Sequence, residues 1–253
     1  MPRRRFFVPP ENIKHGIARL PPDQIHHLRD VLRLRPGDQV EIFDGKGIGY
    51  CGSVAGDGSD VVVVDLQEIE YTPEAPLRLM LALALTRSDT FEWTIQKAAE
   101  LGVAEIIPLV TRFSEVRIPE SKLEARMARW QRILREACKQ CARVSVPELR
   151  APLAFEDFLK SDSSQDACGC LFYEKTPVPW SGSPATSSRV LVCIGPEGGW
   201  DAGEVESAIR AGFRTFSLGP RILRAETAAV AALAIFQYLL GDLGPSSRLT
   251  IDE

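Results

Sequence analysis

Two glycine-rich loops carry the residue types best suited to bind a ligand. The first is the segment IGPEGG at 194–199, which follows a predicted strand over 190–194 and precedes an acidic helix start. The second is LGPRILRAETA at 218–228, which follows a predicted strand over 215–218. Ligands of open α/β sheets bind at the carboxyl ends of strands, and glycines expose backbone amides there. The loops therefore predict a ligand site, although each is also consistent with an ordinary strand–helix turn.

Charged side chains in these loops could do chemistry on the ligand. Arg221, Arg224 and Glu226 stand directly before a nearly apolar helix, where an unpaired charge is costly unless it is used. The alternative is that Glu226 merely favours the dipole of the helix start. The first loop lacks the Lys-Ser/Thr of a phosphate-binding loop, so a nucleoside triphosphate is not the predicted ligand.

Two other motifs are weaker. The segment GIGYCG at 47–52 fits the dinucleotide fingerprint in form, but SVAGDG follows at 53–58 and cannot start a long helix. A β-hairpin is the better interpretation. Cys138 and Cys141 form a C-x-x-C inside a predicted helix, and Cys168 and Cys170 form a second pair. Their spacing does not favour a zinc site, so no metal is predicted.

The elements that position these loops change character near residue 72. Before it, short strands with glycine-rich turns predict a small barrel, interrupted by one helix over 22–33. After it, strands and helices alternate, which predicts an α/β domain with a largely parallel sheet. The predicted strands are 39–43, 48–54, 60–66, 77–85, 106–110, 167–173, 190–194 and 215–218. The predicted later helices are 89–101, 122–142, 202–211 and 226–240. The predicted domains are 1–72 and 73–244, with a flexible tail over 245–253.

Composition and charge narrow the function class. The chain has 253 residues and a net charge of -4, yet the segments 1–35 and 112–143 each carry a charge of +5. Two basic segments on an acidic chain are typical of a polyanion-binding protein, although the second also fits a solvated helix face. The longest apolar run, 228–236, is too short to span a membrane. No signal peptide is apparent, which predicts a cytoplasmic protein with reduced cysteines.

The two glycine loops together resemble the signature pair of the 16S rRNA uridine-N3 methyltransferases. That family belongs to the SPOUT class of knotted methyltransferases. Weaker similarities occur in the same order along residues 1–244. They are RFFV at 5–8, His27 with Leu28, VLR at 31–33, Pro36 with Gly37, Glu92, Gln96 with Lys97, ELGV at 100–103, Trp130, Ile133, Glu136 with Ala137, Gln140, Arg143, Pro147 and GDLG at 241–244.

The resemblance implies a fold, a donor and partners. The fold is α/β, a SPOUT trefoil-knotted Rossmann-like methyltransferase domain preceded by a small PUA-like β-barrel domain. The donor is S-adenosylmethionine, and the partners are 16S rRNA in the small ribosomal subunit and a second copy of the chain, with no DNA and no membrane. The implied donor-binding residues are Leu171, Phe172, Ile194, Gly195, Pro196, Glu197, Gly198, Gly199, Leu218, Gly219, Ile222, Leu223, Thr227 and Ala228. The implied RNA-binding residues are Arg3, Arg4, Arg5, His27, Arg33 and Arg143.

Methylation of uracil N3 requires help, because that nitrogen still carries its proton at neutral pH. Candidate cations to stabilise the imidate are Arg5, Arg33, Arg143 and Arg224. Candidate bases are Glu136 and Glu197. The catalytic residues predicted from these sets are Arg224, Arg5, Glu136 and Glu197. Two alternatives stay open: an enzyme of the same class that acts on another base or a ribose hydroxyl, and a non-catalytic RNA-binding ribosome-assembly protein.

Overall fold

The structure, a computed structural model, describes residues 4–56, 60–70, 77–176 and 188–244. It divides into two compact units. The N-terminal unit comprises Met1–Pro73 and Arg135–Val146, and the C-terminal unit comprises Glu74–Leu134 and Pro147–Glu253. The predicted division at residue 72 did not include 135–146 in the first unit. The predicted tail, 245–253, lies outside the described residues.

The N-terminal unit is built on one six-stranded sheet with the order β1-β4-β5-β6-β3-β2. Its first pair, β1 with β4, is parallel, and the other pairs are antiparallel. The strands are β1 (Arg5–Phe7), β2 (Ile13–Lys14), β3 (Ile17–Arg19), β4 (Gln39–Phe43), β5 (Gly49–Ala55) and β6 (Val62–Ile69). The helical segments are a 3-10 turn (Pro10–Asn12), α1 (Pro22–His26) and a π-helical turn that continues it (His27–Val31).

Alternation of side chains explains how this sheet forms its core. In β4, Val40 and Ile42 are buried while Gln39 is exposed, as the period of two in a strand requires. Leu28 is buried with them in one hydrophobic cluster. The segment 47–52 leads into β5, which pairs antiparallel with β4. The hairpin interpretation of that glycine motif is therefore confirmed.

The C-terminal unit is built on a sheet with the order β10-β8-β7-β12-β11-β13, and β9 pairs with β8. Each of these pairs is parallel, as the alternation of strands and helices predicted. The strands are β7 (Arg78–Ala84), β8 (Glu105–Val110), β9 (Glu148–Leu149), β10 (Leu153–Ala154), β11 (Cys168–Phe172), β12 (Arg189–Ile194) and β13 (Arg214–Phe216). Because the central strands are buried on both faces, they are almost wholly apolar.

Helices complete the C-terminal unit. They are α2 (Ser88–Glu100), α3 (Glu120–Cys141), α4 (Phe155–Phe158), α5 (Asp162–Gln165), α6 (Ala202–Arg210) and α7 (Ala225–Leu240), with the last residues of α3 assigned to the N-terminal unit. None of the helices in the described residues is both long and apolar enough to cross a membrane. The short strands β9 and β10 and the short helices α4 and α5 were not predicted from the sequence.

Arg5 lies in β1, and its side chain is completely buried within the N-terminal unit. Its guanidinium donates hydrogen bonds to the carbonyl oxygens of Cys138 at 3.1 Å and Arg143 at 2.9 Å. It also lies 4.6 Å from the centre of the Phe43 ring, and a Glu41 carboxylate oxygen is 3.5 Å from its Nε. Because Cys138 is in the last turn of α3, a cation beside its carbonyl suits the helix dipole.

This placement corrects the prediction that Arg5 contacts RNA or stabilises charge on a substrate. A side chain without exposed surface, whose guanidinium is hydrogen-bonded to two backbone carbonyl oxygens, is not available to a ligand. Arg5 instead joins β1 to the end of α3. Those carbonyls lie 133 and 138 positions away along the chain, so no local sequence pattern indicates them.

A buried carboxylate, that of Glu105, lies at the amino-terminal ends of the parallel strands in the C-terminal unit. Glu105 begins β8 with 2% of its side chain exposed, and it accepts hydrogen bonds from Arg78 at 2.9 Å, Arg150 at 2.9 Å and Ser163 at 2.7 Å. Burial raises the pKa of the Glu105 carboxyl, but the bonds from Arg150, Ser163 and Arg78 outweigh burial and hold that pKa below its ordinary value. The carboxylate thus contributes stability.

We predict that Glu105→Gln lowers the free energy of unfolding at neutral pH by about 2 kcal/mol, because it removes charge-assisted bonds at a buried position. The folded pKa is depressed, so this contribution is present above the unfolded carboxyl pKa of about 4.3 and is lost as the pH falls through the folded value. Denaturant unfolding of both proteins at neutral and acid pH measures the difference.

The matched control is Glu148→Gln. Its carboxylate is 3.2 Å from Arg150 but is 51% exposed, so its loss is expected to change stability little. Equal effects of the two substitutions at neutral pH, or a Glu105→Gln effect that persists unchanged in acid, would contradict this role for Glu105.

Candidate functional site

A cavity of about 420 Å³ lies in the C-terminal unit where three parallel strands end. The strands β11, β12 and β13 end at Phe172, Ile194 and Phe216, and Phe172 is in register with both of the others. The loops that follow the three strands therefore leave the sheet at one level. Together with the first turn of α7 they line the cavity, in the position where open α/β sheets hold ligands.

Most of the residues predicted to bind a donor line this cavity. They are Phe172, Ile194, Gly195, Pro196, Glu197, Gly198, Gly199, Leu218, Gly219, Ile222, Leu223 and Ala228. The exceptions are Leu171 and Thr227. Leu171 is fully buried in the core, because alternate residues of β11 point to opposite faces. Thr227 is exposed on the first turn of α7, one position before Ala228, and is not part of the lining.

Other lining residues were not named as donor-binding from the sequence. They are Tyr173, Glu174, Trp200, Phe216, Ser217, Arg221 and Ala225, besides Arg224, which was named as catalytic. Most of them directly follow a strand or begin a helix. These residues could have been identified from the common register of β11, β12 and β13. Finding that register requires knowing which strands are neighbours in the sheet.

Two glycines shape the cavity wall through backbone conformations that side chains disfavour. Gly199 has φ of +74° and Gly219 has φ of +85°, both in the left-handed region that glycine adopts without strain. Close approach matters at two other positions. A Cβ at Gly195 would be 3.0 Å from Nε1 of Trp200, and a Cβ at Gly198 would be 3.0 Å from Cβ of Phe113.

Trp200 ties the first glycine loop to the neighbouring strand end. It is buried, and its Nε1–H donates a hydrogen bond to the carbonyl oxygen of Phe172 at 2.9 Å. The next residue, Asp201, caps α6 in a reciprocal capping box with Glu204. Glu204 also accepts a bond from the backbone N–H of Arg112 at 2.8 Å. These bonds fix the loop on its helix side.

Charges of both signs face the cavity. Arg221 and Arg224 lie on the second glycine loop. Glu174 follows β11, and Glu197 lies on the first glycine loop. Arg224 is the N-cap residue of α7 and is exposed. Within the residues that the structure describes, no ion pair joins Arg224 to Glu226, which lies two positions later in the first turn of α7.

The other predicted catalytic residues do not line the cavity. Glu136 is 55% exposed and pairs with Lys139 at 3.7 Å in the N-terminal unit, and Arg143 belongs to the same unit. Arg5 is buried there, as described above. The structure thus places only Arg224 and Glu197 of the predicted catalytic set at the cavity.

The residues predicted to contact RNA are distributed over the N-terminal unit. Arg3 lies outside the described residues. Arg4 pairs with Asp38 at 3.1 Å, and Arg33 is exposed in a left-handed conformation with φ of +54°. The ring of His27 packs edge-on against Phe6, and burial together with the nearby Lys139 lowers its pKa. His27 is therefore neutral at neutral pH and adds no positive charge to this surface.

The cysteine pairs are parts of regular structure. Cys138 is buried in α3 and Cys141 is half-buried, while Cys168 and Cys170 belong to β11. In the described residues all six cysteines are free thiols. A hydrogen bond with the neighbouring Cys168, together with burial, raises the pKa of Cys170, so it stays a neutral thiol.

The arrangement suits a ligand with a flat ring and a charged tail. The rings of Phe172 and Phe216, whose centroids are 6.1 Å apart, offer apolar aromatic surface, and the glycine loops offer backbone groups. The carboxylates and guanidinium groups supply both signs of charge at the same cavity. Its volume lies in the range of about 300–1,000 Å³ found for cofactor sites.

Two family models match successive parts of the chain. A model described as the RNA methyltransferase domain matches residues 73–237, and one described as the RNA methyltransferase PUA domain matches residues 20–66. The first match covers the C-terminal cavity, and the second lies within the six-stranded sheet unit.

Relatives and solved structures match nearly the whole chain. A protein of Synechocystis named ribosomal RNA small subunit methyltransferase E is 35% identical over 93% of this chain and 78% of its own. A Bacillus subtilis protein of the same name is 30% identical over 93% and 96%. The crystal structure of a Neisseria gonorrhoeae protein of that name, bound to S-adenosylmethionine, superposes with a TM-score of 0.85 at 32% identity, covering 95% and 99%. A putative Legionella pneumophila methyltransferase, also with S-adenosylmethionine, gives 0.88 at 33%, covering 96% and 100%.

We predict that Trp200→Phe lowers the free energy of unfolding by about 1 kcal/mol, because a hydrogen bond between Trp200 and the carbonyl of Phe172 is lost at a buried position. Denaturant unfolding measures the change. The control is Trp93→Phe, since Trp93 is 45% exposed on α2 and its replacement is expected to be nearly neutral. If both substitutions prove equally harmless, the bond from Trp200 does not hold the loop.

Proposed function

The chain belongs to the family of ribosomal RNA small subunit methyltransferase E proteins, and on that premise we propose that it transfers the methyl group of S-adenosylmethionine to N3 of a uridine in 16S ribosomal RNA. The observation that carries the proposal is the cavity that both glycine loops line at the ends of β11, β12 and β13. Nearly full-length relatives at 30% identity or more support the same conclusion.

The cavity fits the proposed donor. Phe172 and Phe216 present rings against which an adenine can pack. The left-handed glycines at 199 and 219 let backbone approach the ligand, and the carboxylates and arginines of the lining match its mixed charges. When bound, the sulfonium group supplies an already activated methyl, so the protein has to bind, orient and exclude water.

The target uracil must unstack from its neighbouring bases and enter the cavity to reach the donor, as in other enzymes that modify a base. Loss of the N3 proton puts negative charge on the uracil ring. Arg224 supports this step because it is exposed at the cavity and has no partner among the described ion pairs. Glu197, exposed in the first loop, is the candidate to accept the proton.

RNA affinity is proposed for the N-terminal unit. The segment 1–35 carries a charge of +5, and the residues matched by the PUA model lie in the same unit. Phosphate contacts by such a surface give affinity that falls with salt. Arg4, Arg33 and Arg143 remain the proposed contacts, whereas Arg5 does not.

Two architectural features of the family are proposed as well. One is the trefoil knot, in which the loop before α7 and the glycine loop after β12 take part. The other is a homodimer, supported by the exposed apolar side chains Tyr238, Leu239 and Leu243 at the end of α7 and beyond it. Sedimentation equilibrium that finds only a 27.9 kDa monomer would contradict the dimer. The proposed location is the cytoplasm, where ribosomal subunits are assembled.

The test of the proposed function is nucleoside mass spectrometry of 16S rRNA from a strain that lacks the gene. We expect 3-methyluridine to disappear from one position and to return with the wild-type gene but not with Gly198→Val. The Val side chain would collide with Phe113 and narrow the donor cavity. Loss of a methylated ribose or of another base would favour the alternative enzyme, and unchanged rRNA would favour a non-catalytic role.

We predict that Arg224 matters more than Arg221 for turnover. Removing a preorganised cation from a transition state typically costs roughly 3–4 kcal/mol, so Arg224→Gln is expected to slow single-turnover methylation by a few hundredfold, on the order of 10² to 10³. Arg224→Lys should restore only part of the rate, because lysine lacks the planar guanidinium. Donor affinity and melting temperature are measured for each variant.

The control is Arg221→Gln, whose side chain stands three positions further from α7 and is exposed. A wild-type rate for Arg224→Gln, or a loss that follows its melting temperature instead of the chemical step, would contradict a role in charge stabilisation.

A further inference from the structure

Glu174 is a cavity residue with no role in the chemistry described so far. It follows the end of β11 by two positions and is part of the lining. Its carboxylate lies over the first glycine loop, since Oε1 is 3.6 Å from where a Cβ at Gly199 would be. A ligand that reaches the backbone of Gly199 therefore also meets this carboxylate.

The Glu174 carboxylate is available to a ligand. In the part of the chain that the structure describes, it takes part in no ion pair and no hydrogen bond, and its side chain is exposed. The nearest cation in sequence, Lys175, lies 6.0 Å from the centre of the Tyr173 ring. By contrast, Glu92 and Glu105 in the same unit are each held by arginines. Glu174 thus brings to the cavity a negative charge that no ion pair among the described residues neutralises.

The cavity needs such a charge if its ligand is cationic. Arg221 and Arg224 also line it, and they repel a ligand of positive net charge. S-adenosylmethionine carries a fixed positive sulfonium in addition to its ammonium and carboxylate. After methyl transfer the sulfur is neutral, while the ammonium and carboxylate are unchanged. A carboxylate at the sulfonium therefore favours donor over product, and one at the ammonium favours neither.

We propose that Glu174 faces the sulfonium of the bound donor and makes the site select S-adenosylmethionine over its demethylated product, S-adenosylhomocysteine. This inference rests on the proposed function and names a specificity-determining residue of the same site. Glu197 remains the candidate proton acceptor, because it stands at the tip of the first loop. Loss of the attraction after transfer helps the spent donor to leave.

The test is isothermal titration calorimetry of the full chain with each of the two compounds. Glu174→Gln keeps the size of the side chain and removes its charge. We expect the affinity for S-adenosylmethionine to fall about fivefold, a modest loss because the carboxylate is exposed, and the affinity for S-adenosylhomocysteine to stay unchanged. The selectivity of the wild-type protein should also decrease with added salt. Glu174→Asp, which keeps the charge, should retain part of the selectivity.

The matched control is Glu206→Gln, an exposed glutamate on α6 that lies 3.8 Å from Arg210 and is not part of the cavity. It should leave both affinities unchanged. Equal loss of both affinities in Glu174→Gln would place the carboxylate at the ammonium and overturn the inference. Unchanged affinity for S-adenosylmethionine in this variant would overturn it as well. A wild-type chain that binds neither compound would instead overturn the proposed function.

Discussion

The candidate site depends on the register of three parallel strands. Phe172 pairs with Ile194 on one side and with Phe216 on the other, so β11, β12 and β13 end at one level of the sheet. The loops that follow them can then converge on one cavity. The bond from Trp200 to the carbonyl of Phe172 holds the first glycine loop against this level. A slip in the register of any of these strands would separate the loops and remove the cavity.

Each unit uses one buried charge to fix distant parts of the chain. In the N-terminal unit, Arg5 donates hydrogen bonds to the carbonyl oxygens of Cys138 and Arg143. These bonds attach the segment 135–146 to a unit that is otherwise made from residues 1–73. In the C-terminal unit, Glu105 accepts hydrogen bonds from Arg78, Arg150 and Ser163 at the end of the strands opposite the cavity. The charged groups of the cavity are different, since Arg224 and Glu174 are exposed and have no partner among the described contacts. That difference supports the proposal that the charges of the cavity act on a ligand.

Local patterns were sufficient to predict most long elements. The helix predicted over 226–240 is observed as Ala225–Leu240, and the strand predicted over 190–194 as Arg189–Ile194. Both have a strong periodicity or an unbroken apolar run, and glycines mark their ends. The unpredicted elements β9 and α4, of two and four residues, have too few residues for a period to be detected.

Errors in the predicted site have a common physical origin. Arg5 was misassigned because its partners, Cys138 and Arg143, are distant in sequence and no local pattern reveals them. Leu171 was predicted together with Phe172 because a segment match ignores the alternation of a strand, which buries Leu171 and leaves Phe172 in the cavity lining. Glu174 was not predicted to line the cavity, because its place there depends on which strands are neighbours. The glycine loops were predicted because their backbone conformation restricts their composition, and most of their residues line the cavity.

Hydrogen–deuterium exchange with and without S-adenosylmethionine tests the central claim most directly, because it reports which backbone amides the donor covers. We expect slower exchange, by about tenfold or more, at the amides of 195–199 and 218–225, with little change at the end of the sheet that holds Glu105. Protection confined to other segments, in a protein that demonstrably binds the donor, would contradict a donor site built on the two glycine loops.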